Sequence, residues 1–187
     1  MTVKTDSTLA EQSAPAKHND IQSTQSEQVK NADNTIQIRP LILADREILL
    51  GMYRTFEPLG GAQGLPPRVE EARQTWIDRA LQREVNVGAF SAGGDLVGHS
   101  FLASSDAGEA ELGIFVHQRS RQRGIGTGLL RAILQRAEQR GLRRIHAVTT
   151  YDNIPKLRLL KRCGFRLLQS TYGAELLILD LPVPAFT

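Results

Sequence analysis

From Thr35 onward, apolar and polar positions fall into short periodic runs, and their order sketches a fold. Residues 36–39 alternate, which predicts a strand stopped at Pro40. Over 43–56 the spacing turns helical, with Ile48, Leu49, Met52, Tyr53 and Phe56 on one face. Residues 57–67 carry too much Gly and Pro for regular structure, and a loop this long in a compact domain is often functional. A second helix follows to about Gln82, entered through Pro66 and Pro67 and holding Val69, Ala72, Trp76, Ala80 and Leu81.

Three strand patterns come next, at 85–90, 96–104 and 109–116, the first two joined by the hairpin-type turn at 91–95. They make a meander. A glycine-bearing loop then opens a helix with Leu129, Leu130, Ile133, Leu134 and Ala137 at helical spacing, stopped at Gly141. Residues 144–150 read as a strand parallel to the third of the meander, because a helix connects the two. Asn153 caps a last helix to about Arg162, ended by Cys163-Gly164, and strands at 165–169 and 174–181 close the sheet. The order predicts an α+β fold: a mixed, mostly antiparallel central sheet with flanking helices.

Composition divides the chain. Residues 1–34 are rich in Ser, Thr, Gln, Asn, Asp and Lys and show no period, so they are expected to be a disordered tail before one folded domain at 35–187. A length of 187 residues with 41% hydrophobic content suits one packed domain. The tail holds three lysines against five acids, so the net charge of +3 belongs to the folded part. A positive domain suits an anionic cofactor or nucleic acid alike. No apolar run approaches the roughly 20 residues of a membrane span and no signal-type core follows the N-terminus, so a soluble, cytoplasmic protein is expected. Cys163 is the single cysteine, which excludes an internal disulfide and a cysteine-built zinc site. Four scattered histidines without an HExxH-type pair give no support to a metal.

The chemistry concentrates in Arg121-Gln122-Arg123-Gly124-Ile125-Gly126, between a strand and a helix. Two glycines let backbone N–H groups touch phosphate oxygens, the helix aims its positive dipole at the same point, and two arginines add charge. A Walker loop needs Lys and Ser/Thr after its last glycine, and Gly126 is followed by Thr127-Gly128-Leu129. A dinucleotide fingerprint needs a glycine at Leu129 and a place in the first strand–helix unit. Both fail. The plain alternative is a Gly-rich helix start with solvated arginines.

The stretch from Val116 to Gly126, with Asn153 opening a later helix and Gly164-Phe165 ending it, resembles the GNAT acetyltransferase superfamily. The resemblance covers 35–181 in element order, with specific motifs only over 109–165. It implies a splayed strand pair around a coenzyme A site and transfer of acetyl from acetyl-CoA, as co-substrate, to an amine. The pyrophosphate would lie on the backbone of Gln122, Gly124, Ile125, Gly126 and Thr127, with Gly128 behind them and Arg121 and Arg123 nearby. Phe115 and Val116 would meet the pantetheine arm, and Asn153 would contact it near the thiol, a role compatible with capping the helix.

An amine must lose its proton before it attacks. The resemblance makes Glu111, on the strand where members with a glutamate base carry it, the expected base, with Glu109 its nearest rival and a solvated strand carboxylate the plain alternative. The Val116 N–H is expected to hold the oxyanion. In many members a Tyr four residues before the Gly of Gly-Phe is the general acid; here that position is Leu160. Water or Tyr151 would have to serve, or the domain binds acyl-CoA as a non-catalytic sensor. Cys163 sits at a helix C-terminus, where the dipole disfavours thiolate. His99 and His146 read as structural, His117 as a weak candidate near the loop, and Trp76 as core. The expected acceptor, a small-molecule amine or a protein lysine, lies over 57–67 and the second helix, where Glu57, Glu70 and Glu71 hint at a cation. A homodimer is compatible with this reading. No membrane partner is expected, and the arginines lack the interleaved aromatics and recognition helix that nucleic acid would need.

Overall fold

The computed structural model describes residues 27–29, 35–60, 65–82, 85–105 and 108–182. Strand β1 (Glu27–Val29) and β2 (Ile36–Pro40) lead into a 3-10 turn (Leu43–Asp45), α1 (Arg46–Arg54) and α2 (Glu70–Leu81). Then come β3 (Val85–Phe90), β4 (Leu96–Ser105), β5 (Glu109–Val116), α3 (Ile125–Gln139), β6 (Arg144–Thr149), α4 (Ile154–Arg162), β7 (Arg166–Thr171) and β8 (Ala174–Asp180). The eight strands form one sheet in the order β1-β2-β3-β4-β5-β6-β8-β7. Every neighbouring pair is antiparallel except β5 with β6, the pair that α3 connects.

Strand alternation sorts the core onto two faces. Val87 of β3, Leu102 of β4, and Ala110, Leu112 and Ile114 of β5 bury against Leu129, Leu130 and Ile133 of α3, with Leu160 and Phe165 joining them. Phe101 of β4 and Phe115 of β5 point the other way, against Leu49, Leu50 and Tyr53 of α1 and Ile77 of α2. Sequence parity thus tells which helix each strand residue meets.

Three expectations change. Residues 27–29, placed in the disordered tail, form β1 in register with Ile36–Ile38, so an available sheet edge supplies order that the local pattern lacks. The rest of the expected tail lies outside the described residues. The first helix starts as a 3-10 turn because the Asp45 carboxylate takes the Ile42 N–H at 2.9 Å and the Arg39 guanidinium at 2.7 and 2.9 Å, closing the chain tightly there. It ends at Arg54, so the buried Phe56 lies beyond it. The strand expected at 165–169 runs Arg166–Thr171 and is exposed throughout, with Phe165 buried just before it.

Candidate active site

The parallel pairing of β5 with β6 covers Glu109↔Arg144, Ala110↔Ile145 and Glu111↔His146, and then stops. Beyond Glu111 the strands part. The β4–β5 ladder continues to Gly98↔Val116, and the His117 N–H donates to the Val97 carbonyl at 2.9 Å. That bond fixes the alternation: odd residues of β5 turn their amides to β4, and even residues turn theirs toward β6. The N–H groups of Ile114 and Val116 therefore face the gap that β6 has left, on a lip of backbone open to an added extended chain.

A cleft of about 810 Å³ occupies this gap and runs to the start of α3. Gly124, at φ 77°, is left-handed and turns the chain into the helix without a side-chain cap. Its carbonyl accepts the Gly128 N–H at 3.1 Å, so the Ile125, Gly126 and Thr127 N–H groups precede the first helical bond. A Cβ at Gly126 would stand 3.2 Å from Leu159 Cδ2 and 3.8 Å from Val116 Cγ2, across the cleft floor. The open donors and the space kept by glycine fit a diphosphate.

Of the residues expected to hold a cofactor, Phe115, Val116, Arg121, Gln122, Gly124, Ile125, Gly126, Thr127 and Asn153 all line this cleft. Arg123 and Gly128 do not. Arg121 directs its guanidinium to main chain, donating to the Val116 carbonyl at 3.0 Å and to the Glu57 carbonyl. It thereby ties the end of β5 to the loop after α1. Asn153 Oδ1 accepts the Lys156 N–H at 3.2 Å and caps α4.

Glu111 sits at the closed end of the split, its side chain exposed and outside the cleft lining. Glu109, its rival, is committed: His146 Nε2 lies 2.6 Å from its Oε2 and Arg144 3.6 Å from its Oε1, and these partners hold the carboxyl below its usual range. His146 is thus structural. His99 is fully buried between Tyr53 and Asn86, and His117 Nε2 meets Thr55 Oγ1 at 3.1 Å. Burial raises the Cys163 thiol above its ordinary pKa, and the residue lies outside the cleft lining. Tyr151 is 65% exposed and also outside that lining. Leu160 is fully buried in the α3-side core.

Three basic cleft residues of α4 escaped the sequence reading. Arg158 and Arg162, one helical turn apart on α4, line the cleft, and so does Lys156. Lys156 Nζ donates to the Val148 carbonyl at 2.9 Å, and desolvation lowers its pKa to about 8 against the raising effect of Glu111. A helix of nine residues with charges at spacing four was the signal available.

On the other side of the sheet, Phe56, Pro58 and Leu65 complete the cleft wall. A second hollow of about 470 Å³ adjoins them, lined by Arg54, Glu57, Leu59 and Arg68 among others. Glu70 is not free to meet an acceptor, since it pairs with Arg73 and, at 3.6 Å, with Arg54. Trp76 packs edge-on to Tyr53 and Phe115, as a core residue does. Among the described residues no group of His, Cys, Asp or Glu is arranged for a metal, and no helix is long and apolar enough to cross a membrane.

Comparison with known proteins identifies the family and the fold. The family model described as "Acetyltransferase (GNAT) family" matches residues 46–165. An L-methionine sulfoximine/L-methionine sulfone acetyltransferase of Pseudomonas aeruginosa is 30% identical over 101 residues, 51% of this chain and 59% of the relative. The match thus spans about three fifths of that relative's length. Among solved structures, the GNAT domain of S. lividans PAT superposes with a TM-score of 0.73 at 22% identity, covering 83% of this chain and 97% of that one. A phosphinothricin acetyltransferase from Sinorhizobium meliloti, solved in complex with AcCoA, gives 0.65 at 20% identity, covering 78% and 88%. With its split sheet, open helix start and matched family model, the chain belongs to the GNAT acetyltransferase family.

Proposed function

We propose that this protein transfers the acetyl group of acetyl-CoA to the primary amine of a small acceptor by direct attack. The observation that carries the reading is the uncapped start of α3 opening into the gap between β5 and β6. Acetyl-CoA supplies the activated acyl group. The Ile125, Gly126 and Thr127 amides receive its diphosphate, Arg158 and Arg162 add charge at the cleft, and the pantetheine arm pairs with the free lip of β5. The Ile114 and Val116 N–H groups are the donors available to the arm and to the charge that builds on the acyl oxygen. Glu111 takes the ammonium proton that must leave before the nitrogen can attack. An acyl-enzyme is not part of the scheme, because Cys163, the single thiol, lies outside the cleft and is held protonated by burial.

The acceptor we infer is an amine that also bears a carboxylate. Arg68 beside the second hollow suits an acid group, Glu57 in the same lining suits an ammonium, and the Pseudomonas relative is named for amino-acid derivatives. The test is calorimetry with coenzyme A followed by free-thiol release over a panel of amino acids, simple amines and lysine peptides. Thiol release with amino acids above the other two groups is expected. Glu111→Gln should then lower kcat by about a hundredfold while coenzyme A affinity holds. Equal turnover by that variant removes Glu111 from the scheme. The buried Leu160 favours a second reading, an acyl-CoA sensor without catalysis. Tight binding with no thiol release on any amine would select it.

A further inference from the structure

We propose that Lys156 is the proton donor to the departing thiol sulfur. This rests on the acetyl-transfer reading above. Leu160 offers no acid and points into the core, but Lys156 lies one helical turn earlier on α4, and its side chain lines the cleft. The ammonium is held in place. Its bond to the Val148 carbonyl sets it on the β6 lip of the split, because 144, 146 and 148 are the β6 positions whose backbone turns toward β5. Extending the Glu111↔His146 register by two residues sets Val148 level with Gly113, next to the free Ile114 N–H. An arm running from Gly126 along the lip of β5 toward the closed end therefore brings its reactive end between the Ile114 amide and Lys156 Nζ.

The charged groups around it suit the task. From β5 the nearby charge is Glu111; from β6 the nearby titratable group is His146, already bonded to Glu109; from α4 and the loop before it, Asp152 and Arg158 line the same cleft, with Arg121 at the far end. With its pKa lowered to about 8, the amine is mostly protonated at neutral pH yet releases its proton far more readily than an ordinary lysine. A thiol of ordinary pKa near 8.5 is then a matched acceptor.

The step balances. The acceptor ammonium gives one proton to Glu111 and its nitrogen forms the C–N bond. The C–S bond breaks with its electron pair on sulfur, which takes a proton from Lys156. The neutral Lys156 amine accepts the second nitrogen proton, and the proton on Glu111 leaves to solvent. One ammonium and one thioester become one amide, one thiol and one released proton.

Two measurements test the assignment. The first needs no acceptor: coenzyme A bound to wild type and to Lys156→Met is titrated by the ultraviolet absorbance of its thiolate. Wild type should hold roughly threefold more thiolate near pH 8, for a thiol pKa about one unit lower. Coincident curves overturn the proposal. The second is the pH profile of kcat. Wild type should fall as pH rises through about 8, where Lys156 loses its proton. Lys156→Met should lose roughly a hundredfold in kcat and lack that fall, with KM for acetyl-CoA within about twofold. Lys156→Arg should restore the thiolate shift but not kcat, since a guanidinium does not give up its proton. A Lys156→Met variant with full kcat and the same alkaline fall overturns the assignment alone. A wild type that binds no coenzyme A overturns the acetyl-transfer reading and this assignment with it.

Discussion

Replacing Tyr53 with Phe removes one oxygen from the floor beneath the cleft and leaves the ring in place. Asn86 Nδ2 donates to the Ala80 carbonyl at 2.8 Å, so its Oδ1 is the acceptor for His99 Nε2–H at 3.1 Å. His99 Nδ1 is then the acceptor for the Tyr53 hydroxyl at 2.9 Å. Tyr53 and His99 are both fully buried, and Asn86 is 5% exposed. Deleting the donor to a buried ring nitrogen costs about 1–3 kcal/mol. For a chain of this size, each kcal/mol moves Tm by about 2–4 °C, so Tyr53→Phe should melt about 2–12 °C lower. The ring still packs against Phe56 at 5.4 Å and Phe115 at 5.9 Å between centroids, so coenzyme A affinity should stay within about twofold. Calorimetric melting with and without coenzyme A reads both quantities. A variant that melts within about 1 °C of wild type refutes the relay, and one that keeps its Tm but loses affinity refutes the separation of floor from site.

Two further outcomes follow from ion pairs and cleft charge. Arg39 holds the Asp45 carboxyl below its usual pKa, so the pair's stabilisation is present above the ordinary carboxylate range and is lost as pH falls through the lowered value. Asp45→Asn should therefore cost about 1–2 kcal/mol at pH 7 in denaturant unfolding, and the gap to wild type should close below about pH 4; a constant gap contradicts the pairing. Reversing Arg158 and Arg162 to Glu together should weaken coenzyme A binding by about tenfold at low salt and by less at high salt. Unchanged affinity at low salt would place the diphosphate and its charge elsewhere.

Strand positions were legible because alternation is a local property: Leu112 and Ile114 against Gly113 and Phe115 assign the faces of β5 before any contact is known. The start of α3 was legible for the same reason, since Gly124 and Gly126 announce a backbone that something must approach closely. What the local pattern could not carry were partnerships set by tertiary structure. Nothing in the local pattern marks Lys156, and its place in the cleft depends on the point where β5 and β6 part. Arg121 reads as a phosphate ligand, but the Val116 and Glu57 carbonyls claim its guanidinium. Glu70 looked available until Arg73 and Arg54 were brought beside it. Strand β1 depended on an edge of β2 that a polar segment cannot signal by itself.

The most direct test of the account is calorimetric titration of acetyl-CoA into wild type and Gly126→Leu. The added side chain would grow from a Cβ 3.2 Å from Leu159 Cδ2 and fill the channel to the α3 amides, so at least roughly tenfold weaker binding, about 1.4 kcal/mol, is predicted in a variant that still melts cooperatively. Wild-type affinity in a folded Gly126→Leu protein would contradict the claim that those amides hold the coenzyme.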